Sequence, residues 1–142
     1  MEMLDNKLIL DIPKGMEVDV EKSDLKAGVI KLRKKEICYA DVLSTLADKD
    51  IYPAEIKVPN LFAGKIIALA RLMTIAKYYN GDWKPDWNSH EYKHNIMRTS
   101  EYGITSCGNY NEGAIYFKNK EDAQAVIDNP NFRSILDEIY KD

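Results

Sequence analysis

The most regular apolar pattern in the chain lies between residues 60 and 80 and predicts one long helix. Apolar side chains recur at steps of three and four in two adjacent rows, so we expect the helix to be packed on more than one side. Asn60 is the predicted N-cap, and Asn80-Gly81 is the predicted end, because glycine accepts a left-handed backbone. The two rows are Phe62, Ile66, Leu69, Met73 and Ala76, and Leu61, Ala68, Leu72, Ile75 and Tyr79.

Strict alternation of apolar and polar residues predicts strands before this helix. A short first strand is predicted over residues 7–12, and a hairpin is predicted from residues 16–20 and 29–35. One hairpin strand is acidic and the other basic. The basic run at 31–35 resembles a phosphate-binding segment, but opposite the acidic strand it is more simply neutralised by cross-strand pairs. Residues 37–48 then change to a helical period and predict a short amphipathic helix.

Three further strands and two helices are predicted after residue 88. The strands, at 92–97, 102–106 and 114–118, are separated by short turns, which is typical of an antiparallel meander. A helix is predicted from Asn119, and a last one after Asn129-Pro130. The predicted fold is therefore a single α+β domain spanning residues 1–142. Its antiparallel sheet, the N-terminal hairpin plus the C-terminal three-stranded meander, is packed on the long central helix and the C-terminal helices.

Composition narrows the class of protein. The chain is 45% hydrophobic and 30% charged, as in an ordinary soluble domain. The net charge of −3 argues against a general DNA-coating protein, which would be strongly basic. Cys38 and Cys107 lack the spacing of a metal or redox pair, so we expect reduced thiols in the core. No secretion signal and no membrane span is recognised, so we expect a cytoplasmic protein.

One short motif matches a metal-site pattern. His90-Glu91-x-x-His94 fits the HExxH pattern of zinc peptidases, in which a helix brings both histidines to one metal ion. The alternation around Tyr92 and Ile96 favours a strand instead, and a strand separates the histidines. Glu112, the conceivable third ligand, lies in a Gly/Asn turn. Zinc hydrolysis is therefore retained only as a remote alternative, and no metal site is predicted.

The two tryptophans of the chain, Trp83 and Trp87, lie within five residues at the predicted end of the long helix. An exposed indole pair could stack on a base, a sugar or a partner's side chain. Alternatively, the indoles could fold back over the helix end and seal the core. Both alternatives remain open from the sequence.

The chain also resembles a family of small uncharacterised bacterial and phage proteins. The resemblance is carried by NGDWKPDWN at residues 80–88, by EYK at 91–93, and by YFK at 116–118 with Glu121 and Ala123. The hairpin sequence that begins at Ile12 is also similar to the corresponding sequence of this family. The resemblance implies an accessory protein of phages or mobile elements, and it brings no assigned activity, substrate or cofactor. HExxH is not part of the family pattern.

No nucleophile–base set, nucleophile elbow or glycine-rich phosphate loop is recognised. The sequence therefore leaves open whether the protein is an enzyme, and it favours a protein without catalytic activity. The predicted function is a non-enzymatic, protein-binding module without a cofactor. The alternative is a nucleic-acid binder that stacks bases on the same aromatic rings and contacts phosphates through Lys84, Lys93 and Arg98. The candidate binding residues are Trp83, Lys84, Asp86, Trp87, Tyr92 and Lys93.

Overall fold

The computed structural model describes residues 2–4, 7–13, 15–46, 55–109, 111 and 115–141. The chain divides into two compact units, Met1–Glu36 and Ile37–Asp142. Both strands and helices are present, so the α+β class is confirmed. The single-domain organisation and the packing of the N-terminal hairpin on the long helix remain predictions.

The first unit contains two antiparallel strand pairs. Strand β1 (Glu2–Leu4) pairs with β2 (Lys7–Ile9), whereas the sequence predicted one longer strand over 7–12. Strand β3 (Met16–Val18) pairs with β4 (Leu32–Lys34), which is the predicted hairpin with shorter strands.

The predicted acidic-to-basic pairing occurs in this hairpin. Glu17 lies opposite Arg33, and its Oε1 atom accepts a hydrogen bond of 2.7 Å from the Arg33 guanidinium. The hydrogen bond and the charge of Glu17 raise the pKa of Arg33. Both side chains are solvent-accessible, so this ion pair stabilises the hairpin only weakly.

The second unit begins with two helices, α1 (Tyr39–Thr45) and α2 (Asn60–Asn80). Helix α1 lies within the range predicted at 37–48, although residues 47 and 48 fall outside the described residues. Asn60 is not the N-cap: Pro59 occupies that position, and its carbonyl accepts a hydrogen bond from the Phe62 amide. The extended backbone of Pro59 therefore starts the helix one residue earlier than predicted, with Asn60 in its first turn.

Helix α2 packs against α1 and against α4 (Arg133–Tyr140). Its buried residues are Ala68, Leu72, Ile75 and Ala76. Three residues predicted to be buried are exposed instead: Leu61 by 83%, Phe62 by 49% and Met73 by 52%. Helices α1 and α4 have seven and eight residues, so at about 1.5 Å per residue neither spans half of the 21-residue helix α2.

The sheet of the second unit differs from the predicted meander. Strands β5 (Lys93–Arg98) and β6 (Tyr102–Cys107) pair antiparallel, as expected. The described residues 115–118 form no further strand and make one bridge, from Phe117 to His94. Because His94 lies on β5, this segment returns beside β5 and does not extend the sheet beyond β6. The neighbouring backbone groups at 116 and 118 bond to α2 instead.

Two tyrosines connect this sheet to α4. The Tyr102 hydroxyl donates a 2.6 Å hydrogen bond to Asp137, and the Tyr140 hydroxyl donates to the Ile96 carbonyl. Burial and the Asp137 hydrogen bond raise the pKa of Tyr102 to about 12, and burial also raises the pKa of Tyr140. Both rings are thereby fixed between strand and helix.

The C-terminal helices bury the faces that their sequence predicts. Helix α3 (Lys120–Asp128) is followed by a short 3₁₀ helix (Pro130–Phe132) and by α4, with Asn129 at the break. Asn129 is buried, and its side-chain amide donates to the Ile37 carbonyl at 2.9 Å. The buried apolar residues of these helices are Ala123, Val126, Ile127, Phe132, Ile135, Leu136 and Ile139.

Candidate functional site

The turn after α2 is held by backbone and carboxylate hydrogen bonds. Gly81, with φ of 60°, ends the helix, and its amide donates to the Lys77 carbonyl. Lys77 in turn donates to the Gly81 carbonyl at 2.8 Å and lies 3.3 Å from the Asp82 carboxylate. Asp86 accepts a 2.9 Å hydrogen bond from the Asn88 amide. Both carboxylates therefore participate in turn formation.

Trp87 folds inward from this turn. Its ring meets the ring of Tyr116 edge to face, with centroids 5.0 Å apart, and Tyr116 is only 6% exposed. The Lys93 ammonium lies 5.2 Å from the centroid of the Trp87 ring. Trp87 is itself half-buried. For this indole the structure therefore shows the sealing arrangement and not an exposed platform.

Lys93 is a buried cation at the start of β5. It is 1% exposed, and its ammonium donates to the carbonyls of Ser89 and Gly108 at 2.9 and 2.8 Å. With the Trp87 ring as third contact, the donors of the ammonium are satisfied inside the protein. Lys93 is therefore not available to a phosphate in this conformation, contrary to its predicted role in nucleic-acid binding.

The other predicted phosphate ligands do not cluster with it. Lys84 is exposed in the tryptophan turn. Arg98 lies at the opposite end of β5, about 17 Å along the strand from Lys93 at about 3.3 Å per residue. Its guanidinium is 5.4 Å from the centroid of the Tyr102 ring. The three cations thus do not form one continuous phosphate track.

Trp83 lines a groove at the end of α2, which we call the Trp83 groove. Its volume is about 200 Å³. Trp83 is half-buried there, whereas Tyr92, another predicted anchor, is 64% exposed. The lining consists of Met73, Ala76, Lys77, Asn80, Trp83, Pro85, Ile115 and Tyr116. Apolar groups with a few polar groups at the edge are typical of a binding site.

Asn80 has a role that the sequence did not reveal. It was predicted only as the end of α2, but its side-chain amide donates to the Tyr116 carbonyl at 2.7 Å and its oxygen accepts from the Lys118 amide at 2.9 Å. These bonds fix the segment that forms one wall of the Trp83 groove. The partners lie 36 and 38 residues away along the chain, so no local pattern could have indicated them.

The HExxH residues lie on non-helical backbone. Residues 90–92 are irregular, and His94 lies on β5, where a strand was predicted. His90 is exposed, while the His94 Nδ1 atom is 2.7 Å from the Ser106 hydroxyl. Burial lowers the pKa of His94. Across the described residues, which do not include Glu112, no three His, Cys, Asp or Glu side chains are placed to hold a metal ion.

Cys38 and Cys107 are free thiols, as predicted; Cys107 is buried, whereas Cys38, which was also predicted to lie in the core, is only half-buried. Within the part of the chain that the structure describes, no helix combines the length and apolar character needed to cross a membrane. Comparisons with protein-family models, with curated proteins and with solved structures found no match to this chain.

Proposed function

We propose that this chain is a non-enzymatic binding module that holds a protein partner at the Trp83 groove. The observation that carries the proposal is the difference between the surroundings of the two indole rings. Trp87 packs on Tyr116, while Trp83 lines an open groove beside the exposed Met73 and the half-buried Pro85. A large aromatic side chain held on a fixed turn is the kind of group that concentrates binding energy at protein interfaces.

The rest of the site supports a pre-formed surface. Gly81 and the two aspartates fix the backbone of the turn, and Asn80 fixes the opposite wall. A partner that inserts an apolar side chain would therefore meet a groove that loses little conformational entropy on binding. The exposed Lys84 and Tyr92 lie near this turn in sequence and are proposed as rim contacts. The accessory role in phages or mobile elements, which the family resemblance implies, remains part of this proposal.

The test is capture of the partner by the tagged full-length chain from bacterial lysate, followed by calorimetry with the purified partner. Trp83→Ala should weaken binding by about 30-fold or more, as expected for a central aromatic anchor. Phe62→Ala is the matched control, because it removes an exposed aromatic side chain near the other end of α2, about 27 Å from Asn80 along the helix. This control should change the affinity less than about threefold.

Equal affinity of the Trp83→Ala variant and the unaltered chain would contradict the proposal. Gel-shift titrations with single-stranded and duplex DNA over a range of salt concentrations test the nucleic-acid alternative. A shift that weakens steeply as salt rises would indicate phosphate binding. We expect no shift at low salt, because Lys93 is buried and Arg98 lies at the far end of β5.

A further inference from the structure

A polar pocket of about 380 Å³ lies between the turn that joins β5 to β6, the end of α3 and the start of α4. All of these elements belong to the second unit. Arg98 and Tyr102 line the pocket from the two strands, Asp128 from α3 and Arg133 from α4. We call it the arginine pocket. It shares no lining residue with the Trp83 groove.

Two guanidinium groups of this pocket lie over one aromatic ring. The guanidinium carbons of Arg98 and Arg133 are 5.4 and 4.9 Å from the centroid of the Tyr102 ring. Arg98 lies directly opposite Tyr102 in the β5–β6 pair. Arg133 lies one helical turn before Asp137, which accepts the hydrogen bond of the Tyr102 hydroxyl. Strand register and helix period therefore hold both positive charges beside the same pocket.

Neither guanidinium is neutralised by a neighbour. Arg98 and Arg133 are exposed, and among the described residues no ion pair joins either of them to a carboxylate. A guanidinium that lies over an aromatic ring keeps its N–H donors free for oxygen acceptors, because these donors lie in its own plane. Guanidinium groups bind a carboxylate through two parallel hydrogen bonds, so this side of the pocket fits a carboxylate.

The same pocket also carries negative charge. Glu101 and Asp128 line it and are exposed. Asp128 is the last residue of α3, where the helix dipole adds partial negative charge, and its carboxylate accepts a 2.9 Å hydrogen bond from the Gln124 side chain. These groups favour an ammonium and repel a dianion such as phosphate. A ligand that carries one charge of each sign therefore matches the pocket better than a simple anion does.

We propose that the arginine pocket binds a small zwitterion, which is a molecule with a carboxylate at one end and an ammonium at the other. Arg98 and Arg133 donate hydrogen bonds to its carboxylate, and Glu101 and Asp128 accept hydrogen bonds from its ammonium. Free amino acids and other short amino carboxylates have this chemistry. The proposal stands or falls independently of the protein-binding role of the Trp83 groove.

The test is a titration of the isotopically labelled full-length chain with glycine, β-alanine, γ-aminobutyrate and ε-aminocaproate, followed by amide chemical shifts at low ionic strength. These probes differ in the distance between their charges. Each is compared with an analogue that lacks the ammonium, such as butyrate, and with one that lacks the carboxylate, such as propylamine. One zwitterion should bind about tenfold tighter than both of its analogues, with shifts at Ser100, Asp128 and Arg133. This comparison uses only the unaltered chain.

Variants assign the two ends of the ligand. Arg133→Gln should weaken binding of the zwitterion and of its carboxylate analogue by about threefold or more, and should leave the amine analogue unaffected. Asp128→Asn should weaken binding of the zwitterion and of the amine analogue by a similar factor, and should not weaken the carboxylate analogue. Lys84→Gln and Glu91→Gln make matched changes at exposed residues outside the pocket and should leave all affinities unchanged.

Three outcomes would refute the zwitterion site. One is the absence of shifts with every zwitterion at millimolar concentration. Another is a carboxylate analogue that binds as tightly as the zwitterion, which would leave a simple anion site. The last is a set of shifts confined to the surroundings of Trp83, which would place the probes in the Trp83 groove.

Discussion

At the scale of single residues, Lys93 shows how the protein holds a charge in its interior. An ammonium taken out of water needs its three donors satisfied, or burial is strongly unfavourable. The carbonyls of Ser89 and Gly108 and the face of Trp87 provide these contacts. Gly108 is well suited to this position, because a Cβ atom there would lie 3.3 Å from the carbonyl oxygen of His90.

Lys93→Met should lower the free energy of unfolding by about 1–3 kcal/mol, because two partly buried carbonyls lose their donor. The exposed Lys84 offers a matched control: Lys84→Met should change stability by less than about 0.5 kcal/mol. Urea unfolding followed by tryptophan fluorescence measures both. Equal stability of the Lys93→Met variant and the unaltered chain would mean that the ammonium is not a structural contact.

We expect His94 to make the free energy of unfolding depend on pH. Burial lowers its pKa in the folded state below the ordinary value of 6.5. The unfolded chain therefore takes up this proton at a higher pH than the folded chain. As pH falls below about 6.5, the free energy of unfolding should fall, and this contribution should level off once folded His94 is itself protonated. Above pH 6.5 the contribution of His94 is fully present.

The measurement is urea unfolding of His94→Gln between pH 5 and 8. This variant should lose part of the decline in stability that the unaltered chain shows on acidification. His90→Gln, at the exposed histidine, should keep that decline and serves as the control. Identical pH profiles for all three proteins would rule out His94 as the source.

At the scale of elements, the end of α2 does two separate things. Gly81 stops the helix with a backbone conformation that L-residues rarely adopt, at φ of 60°. Asn80, one residue earlier, fixes the segment at 115–118 to the helix. The first function could be predicted from the Asn-Gly pair. The second could not, because it depends on residues brought close only by folding.

Gly81→Ala should lower the free energy of unfolding by about 1–3 kcal/mol through backbone strain alone. Among the described residues, no atom beyond the two chain neighbours of Gly81 lies within 4 Å of the position that the new Cβ would take, so steric contact does not contribute. Gly103→Ala, in β6, is the control. It too has open space around the Cβ position but lacks the positive φ, so it should be neutral or slightly stabilising. Thermal or urea denaturation distinguishes the two.

Asn80→Ala should lower the free energy of unfolding by about 1–3 kcal/mol and loosen the segment that carries Phe117. The sharper measurement is amide hydrogen exchange, in which the amides of Phe117 and Lys118 should lose protection in the variant. Asn88→Ala, at an exposed asparagine in the neighbouring turn, should leave that protection unchanged. Unchanged protection in the Asn80→Ala variant would show that the bridge to β5 holds the segment without Asn80.

At the scale of the whole molecule, features set by neighbouring residues were predicted and features set by distant contacts were not. Local periodicity predicts the buried faces of α3 and α4. It also predicts the β3–β4 hairpin and the β5–β6 pair. The return of Phe117 to β5 and the exposure of Leu61 depend on which elements meet. At the site, the sequence placed both tryptophans in one turn, but only the structure shows that they face different surroundings.

The two compact units differ in what they bury. Among the residues whose side-chain burial the structure describes, which leave out 1–8, the buried hydrophobic ones all lie between Val42 and Ile139, in the second unit. In the first unit, where the burial of side chains is described for residues 9–13 and 15–36, the buried residue is Asp19, while Val20 and Leu25 are more than 70% exposed. Chains shorter than about 40 residues rarely fold without additional cross-links or partners. The second unit therefore contains the groups that make folding cooperative.

A fragment comprising residues 37–142 should consequently fold by itself and unfold in a single cooperative urea transition followed by tryptophan fluorescence. Its amide spectrum should retain the dispersed signals of β5 and β6, because the contacts of Lys93, Asn80 and Tyr102 all lie within it. Residues 1–36 alone should show the narrow dispersion of an unfolded peptide. An unfolded 37–142 fragment would mean that the first unit contributes to the stability of the core, which the distribution of buried side chains argues against.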